Sequence, residues 1–296
     1  MSKTVVIGSG LAGMLYHHFY PDSLLVGDNF SIGTQVFPLG PRYVHYNIKV
    51  GNFLASLGLD TGVYQVNVGY VMERQFVEPS DDFKKQYLIK TRGEGAKEGG
   101  LVTDLTKHFS IFGASHEDLY KALMTDAFKN VDNNMVVGRV STIDFEEQEV
   151  TYHTVPDVPN KVIHYDDLIV TIPQPAFLNM IGYHLQDLKW NSVLYELHLM
   201  EQEWFWKRCV DFAYVADSSS PYHRITAWDK PLTVTETICN TNLPRGASEC
   251  WQKYGKIISG TPQKIHDVRF FGRWAEWKNK LMVSDLIRTL IKEAWA

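Results

Sequence analysis

Thr4-Val5-Val6-Ile7-Gly8-Ser9-Gly10-Leu11-Ala12-Gly13 decides the fold of this chain. A short apolar, β-branched run forms a buried strand, a complete G-x-G-x-x-G follows it, and Leu11 to Phe19 continue as a helix. In such a strand–turn–helix unit Gly8 makes the tight turn and Gly10 lets backbone approach a pyrophosphate. Gly13 lets the helix lie close against the strand, and the first turn at Leu11 and Ala12 faces the phosphates. A glycine-rich loop is weak evidence by itself; the flanking strand and helix and a downstream acid raise it to a dinucleotide site. Pro21-Asp22 ends the helix, Ser23 to Val26 form the next strand, and Asp28 stands twenty positions beyond Gly8, where an acid accepts hydrogen bonds from a ribose diol. Gly27-Asp28-Asn29 is also turn chemistry, and the two readings agree at a strand end.

The 296 residues suit one large domain or two interleaved ones. A formal net charge of -5 gives no whole-molecule attraction to nucleic acid, so such a partner would need a local basic groove. Cys209, Cys239 and Cys250 have neither disulfide-framework nor metal-site spacing, which points to a reducing, cytoplasmic setting. No apolar run has membrane-spanning length, and no signal-peptide pattern opens the sequence, so no membrane partner is expected. The 8 Trp, 15 Tyr and 15 Phe suit a pocket for a planar ligand, and suit plain core equally.

After Asp28 the chain leaves the strand–helix alternation. Gly33 to Tyr46 is an irregular loop, and Asn47 starts a helix with Ile48, Phe53, Leu54 and Leu57 on one face, ended by Gly58. Tyr64 to Met72 alternate as a half-buried strand, Pro79-Ser80-Asp81-Asp82 makes a turn, Gln86 to Lys90 form a returning strand, and Gly93 to Gly100 form a solvated loop. Ser115-His116-Glu117-Asp118 starts a helix in the manner of a capping box. Strands return at Met135–Val137, Arg139–Phe145, Glu149–His153 and Val162–Tyr165, and a buried one runs from Leu168 to Thr171-Ile172-Pro173. Trp190–Met200, Cys209–Val215, Tyr222–Trp228 and Leu232–Cys239 predict an antiparallel meander. Ser284 is the predicted N-cap of a closing helix with Leu286, Ile287, Leu290 and Ile291 on one face.

Three of these segments carry a resemblance. Gly40-Pro41-Arg42-Tyr43-Val44-His45, the strand ending in Thr171-Ile172-Pro173, and Gly272-Arg273 followed by the helix from Val283 and Ser284 together resemble the FAD-binding amine oxidase, protoporphyrinogen oxidase and UDP-galactopyranose mutase superfamily. In the first segment Arg42 stands where the family has a His, and of the family's glycine pair after the ribose acid only Gly33 matches. The resemblance implies an α/β fold: a Rossmann-like FAD-binding domain (1–60, 104–186 and 253–296) with an inserted antiparallel-sheet substrate domain (61–103 and 187–252). FAD is the implied cofactor. Gly8, Gly10, Leu11, Ala12, Gly13, Asp28, Asn29, Gly40, Pro41, Arg42, Thr171, Ile172, Pro173, Gly272, Arg273, Val283 and Ser284 would line it, and the adenine would meet Val140 or, alternatively, Val137. The closing helix would turn its N-terminus to the flavin pyrimidine edge, where reduced flavin carries negative charge.

The activity this implies is an FAD-dependent oxidoreductase acting on a C–N bond of a polar small-molecule or nucleotide-like substrate. His45 would orient substrate or flavin, Arg42 and Arg224 would hold an anionic group, and Tyr222 would wall the pocket, with His223 alternating to the opposite face from Arg224. His45 and Arg224 have equally plain structural readings, as a core histidine and a strand-edge arginine. The alternatives are a mutase-like sugar-nucleotide isomerase, a phage-type flavoenzyme tailoring an amino-acid-modified nucleobase in DNA, and a non-catalytic nucleotide-binding scaffold.

Overall fold

The computed structural model describes residues 3–30, 43–93, 107–129, 134–154, 160–183, 187–199, 210–227, 232–239, 251–278 and 281–294. In chain order the elements are β1 (Thr4–Ile7), α1 (Leu11–Phe19), β2 (Leu24–Gly27), β3 (Tyr43–His45), α2 (Ile48–Ser56), β4 (Val63–Met72), β5 (Gln75–Phe76) and α3 (Asp81–Arg92). Then come β6 (His108–Ser115), α4 (His116–Lys129), β7 (Met135–Val137), β8 (Arg139–Asp144), β9 (Glu149–His153), β10 (Lys161–His164), β11 (Asp167–Val170) and α5 (Gln174–Met180). The last are β12 (Lys189–Leu199), β13 (Phe212–Val215), β14 (Tyr222–Ala227), β15 (Leu232–Cys239), β16 (Trp251–Ser259), β17 (Arg269–Phe270) and α6 (Val283–Ala294).

Five strands form a parallel sheet in the order β17-β11-β1-β2-β7. Val5, Val6, Leu25, Val26, Leu168, Ile169 and Val170 are all buried, so these strands read as apolar runs because both faces of the sheet are covered. On one face Val6, Leu25 and Ile169 pack with Met14 and Leu15 of α1, Leu119 and Leu123 of α4, and Leu286, Ile287 and Leu290 of α6. On the other, Val5, Ile7, Val26 and Val170 meet Val150 and Tyr152 of the small antiparallel sheet β10-β9-β8, together with Phe177 of α5. From β1 the chain steps to β2 on one side and later to β11 on the other, and ligands of open α/β sheets bind beyond the strands' carboxyl ends at such a reversal.

The second large sheet runs β16-β12-β15-β14-β13-β4-β6-β3, with β5 on β4. The expected meander holds for β13, β14 and β15. β12 pairs with the far side of β15, and β13 runs parallel to β4, with Phe212 opposite Val68 and Tyr214 opposite Tyr70. Gln86–Lys90, a strand by local pattern, lies inside α3. Ser80 caps that helix by accepting from the Phe83 N–H at 3.1 Å, Asp81 and Asp82 fill its first turn, and Phe83, Tyr87, Leu88 and Thr91 are buried at helical spacing. Asn47 caps α2, and Ser115 and Asp118 exchange hydrogen bonds at the start of α4, as their sequences predict.

Candidate dinucleotide and substrate site

β1 delivers Gly8 into a turn whose N–H donates to the Val26 carbonyl of β2 at 2.8 Å. α1 folds back tightly on that turn: a Cβ on Gly13 would stand 1.8 Å from the Gly8 carbonyl oxygen, so no side chain fits. Gly10 is the opposite case, since among the described residues a Cβ there would meet nothing within 4 Å. Gly10 is also the N-cap of α1; among the described residues no side chain caps that end, and its first turn holds no acid. The orphan N–H groups and the positive dipole end of α1 therefore border the open space above Gly10, which is the arrangement that binds a phosphate. Asp28 and Asn29 lie exposed just past β2, and the Ser9 hydroxyl donates to the Asn29 carbonyl. Tyr120 of α4 donates its buried hydroxyl to the Ser9 carbonyl at 2.9 Å, and burial pushes its pKa up to about 12.

Distant segments close around this turn. Thr171, just past β11, places its hydroxyl 2.9 Å from the carbonyls of both Ile7 and Gly8, and Ile172 and Pro173 lead into α5. Gly272, past β17, has φ +108, and a Cβ on it would lie 2.9 Å from the Ala12 Cβ. Its N–H donates to Glu276 at 3.1 Å, and the Arg273 guanidinium lies 5.7 Å from the centre of the Trp274 ring. Val137 pairs with Gly27 beside Asp28, and the Gly138 N–H donates to the Gly27 carbonyl at 2.8 Å. Val140 lies further on in β8, opposite Tyr152.

The N-terminus of α6 differs from expectation. The helix begins at Val283, so Ser284 is a buried first-turn residue and not the N-cap. The end is closed by Asp285, whose carboxylate accepts from the Met282 N–H at 3.0 Å and offsets the positive end of the helix dipole. The same carboxylate acts on His45 of β3. The His45 ring stacks on Phe109 at 5.0 Å; burial pulls its pKa below the ordinary value, and the charge of Asp285 opposes that shift. Gly40, Pro41 and Arg42 lie outside the described residues. Asp285 was legible as an acid three positions into a helix, whereas no local signal marks Tyr120, which reaches Ser9 across 111 positions.

The residues expected to share one substrate pocket are spread over the second sheet. Arg224 forms an ion pair with Glu236, which is 1% exposed, and lies 5.1 Å over the Phe212 ring. Tyr222 stands opposite Thr237 and packs against His198, which bonds Thr235 at 2.9 Å; these threonines alternate with Glu236, so Tyr222 belongs to the face opposite Arg224. A register shift between Tyr222 and Arg224 is the cause. It also brings His223 within 3.4 Å of Glu236, where strict alternation would have sent it to the other face from Arg224. His45 pairs with Ile111 opposite Tyr64, while Arg224 aligns with Tyr214 and Tyr70. Six positions of β4 separate those registers, roughly 20 Å along the strand. Among the described residues no group of three or more His, Cys, Asp or Glu is placed to hold a metal ion, and no helix is long and apolar enough to cross a membrane.

No family model and no curated protein matches the sequence. Solved structures match by fold. A reduced UDP-galactopyranose mutase is similar with a TM-score of 0.66 at 12% identity, over 99% of this chain and 93% of that one. A putrescine oxidase double mutant from a cofactor-binding redesign gives 0.61 at 9% identity, over 99% and 98%. Cyclohexylamine oxidase from Brevibacterium oxydans gives 0.57 at 10% identity, over 99% and 98%. At these identities the likeness establishes the fold, a Rossmann-like unit joined to a second large sheet, as the sequence predicts.

Proposed function

We propose that the chain binds FAD on the Gly8–Gly13 cradle and acts as a flavin-dependent oxidoreductase on a C–N bond of a small polar substrate. The observation that carries this reading is the opening above Gly10. It is the uncrowded position of a turn closed elsewhere by backbone, it lies at the strand-order reversal, and the uncapped N-terminus of α1 borders it. Leu11, Ala12 and Gly13 would donate backbone N–H groups to the pyrophosphate, and Asp28 with Asn29 would hold the ribose. Val137 or Val140 would meet the adenine, and Thr171–Pro173, Gly272, Arg273, Val283 and Ser284 would continue the groove toward the flavin. When bound, the flavin supplies hydride acceptance from a substrate carbon.

The protein's own groups supply the rest. His45, kept neutral at pH 7 by burial, can hydrogen-bond a substrate without adding charge, and Asp285 supplies the negative charge beside it. A substrate amine is the complementary partner for that charge, and two of the similar folds are named as a putrescine oxidase and a cyclohexylamine oxidase. Arg224, in its pair with Glu236, is assigned to holding the second sheet together and not to the reacting centre. Residues 61–103 and 187–252 form the substrate-side division in this reading, and a reducing, cytoplasmic setting suits it.

The visible spectrum of the purified protein, before and after adding FAD, is the direct test. Flavin bands are expected, and anaerobic addition of putrescine or cyclohexylamine should bleach them. A protein left colourless by excess FAD overturns the flavoenzyme reading. Flavin that no amine bleaches, with turnover of a sugar nucleotide only after chemical reduction, would replace oxidation by a redox-neutral isomerisation.

A further inference from the structure

The peptide between Ser9 and Gly10 has to face one way for the cradle to bind an anion. In a trans peptide the carbonyl and the following N–H point in opposite directions, so the orientation of the Ser9 C=O fixes that of the Gly10 N–H. Gly10 has no Cβ to resist rotation, and a flip of this peptide would be cheap. It would also reverse the chemistry, presenting a carbonyl oxygen to the ligand where a donor is needed. We propose that Tyr120 is a positioning residue that holds this peptide in the binding orientation.

Several observations support the assignment. The Tyr120 hydroxyl donates to the Ser9 carbonyl at 2.9 Å, and both residues are buried, Tyr120 at 5% and Ser9 at 5% exposure. The carbonyl is thereby held on the core side, and the Gly10 N–H is turned away from α4. Among the described residues a Cβ on Gly10 would find open space, and the Gly10 N–H belongs to the end of α1 that borders it. α4 is itself fixed in place: Ser115 and Asp118 cap it, and Leu119 and Leu123 on either side of Tyr120 are buried in the core shared with α1. The phenol remains a donor throughout the neutral range because burial pushes its pKa up to about 12. The neighbouring peptide is held from below in the same way, since the Thr171 N–H already serves the Ile7 carbonyl at 2.9 Å and its hydroxyl reaches the Gly8 carbonyl at 2.9 Å. Tyr120 would touch neither cofactor nor substrate. Its effect is transmitted through one peptide.

This inference rests on the dinucleotide reading of the cradle, and the ligands of the test are chosen to separate the two. FAD, ADP and adenosine are titrated into the wild type and into Tyr120→Phe, with Tyr120→Leu as a second variant lacking the hydroxyl. FAD and ADP should each bind about tenfold more weakly in the variants, the effect of one aimed hydrogen bond, while adenosine, which lacks the phosphates, binds unchanged. Equal weakening of adenosine and ADP would mean a general loss of structure and overturns the proposal, as does unchanged FAD and ADP affinity in a folded Tyr120→Phe. A wild type that takes up ADP but not FAD sinks the flavin reading and leaves the role of Tyr120 standing if the variants weaken ADP alone. A wild type that binds neither overturns both.

Discussion

Gly13 and His45 show how much rests on single positions. A methyl group on Gly13 would fall 1.8 Å from a backbone oxygen that no rotamer change can move, so Gly13→Ala should cost about 3 kcal/mol of stability and abolish FAD uptake, both readable from melts with and without FAD. His45 sets a pH limit. Its folded pKa is lowered from 6.5 by burial, so below that value the unfolded chain takes up a proton more readily than the folded one. The stability it supports is complete above pH 6.5 and declines as pH falls through that value toward the folded pKa. Asp285 opposes the shift, so Asp285→Asn should lower the His45 midpoint further, a change that imidazole NMR titration reads directly. Glycine spacing made Gly13 legible in the sequence. The His45–Asp285 relation was hidden because 240 positions separate a strand residue from a helix end that meet only in three dimensions.

At the level of elements, short-range patterns were read correctly where one local force dominates. β1, its turn and α1 follow from an apolar run and glycine spacing, and the starts of α2 and α4 follow from Asn47 and Ser115. α3 was misread because a five-residue window suits a strand, and only the cap at Ser80 with the longer Phe83–Tyr87–Thr91 spacing reveals the helix. The bulge at Tyr222–Arg224 leaves no mark in the alternation of β14, and it overturns the expectation that Tyr222 shares a face with Arg224 while His223 faces away. Its consequence is a buried carboxylate shared between Arg224 and His223. Glu236→Gln should therefore cost about 3 kcal/mol in a denaturant melt, since it removes a buried carboxylate that Arg224 and His223 share, while FAD affinity stays unchanged because the cradle belongs to the other sheet. α3 carries a pH signature of the same sign as that of His45, at higher pH. Lys90 donates to the carbonyls of Asp217 and Tyr222, and burial lowers its pKa from 10.5 to about 8, with Asp217 opposing. Between those two values the unfolded chain holds the proton and the folded chain does not, so stability should rise as pH goes from 8 to 10.5. Lys90→Met should flatten that rise in thermal melts.

The molecule as a whole unites its two large sheets through one core. Val44 of β3 and Phe112 and Ala114 of β6 lie in the same buried cluster as Val6, Leu25 and Ile169 of the parallel sheet, with α1, α4 and α6 between them. The cradle is likewise assembled from distant parts of the chain, the Gly8–Gly13 turn, Thr171 and Gly272, so a ligand that bridges them ties the ends of the sequence together. FAD at a hundredfold excess over its dissociation constant should stabilise the folded state by about 2.7 kcal/mol. For a chain of this size that corresponds to a shift of roughly 4–5 °C in melting temperature. Because β3 and β6 share that cluster with the parallel sheet, a single calorimetric transition should move as one. Two transitions, with only the first responding to FAD, would mean that β12–β16 unfold independently of the nucleotide unit. Hydrogen exchange locates the effect: added FAD should slow β1, α1, β11 and the first turn of α6, and leave β9 and β10, on the far side of the parallel sheet, unchanged. Slowing confined to β9 and β10 would place the ligand elsewhere than above Gly10.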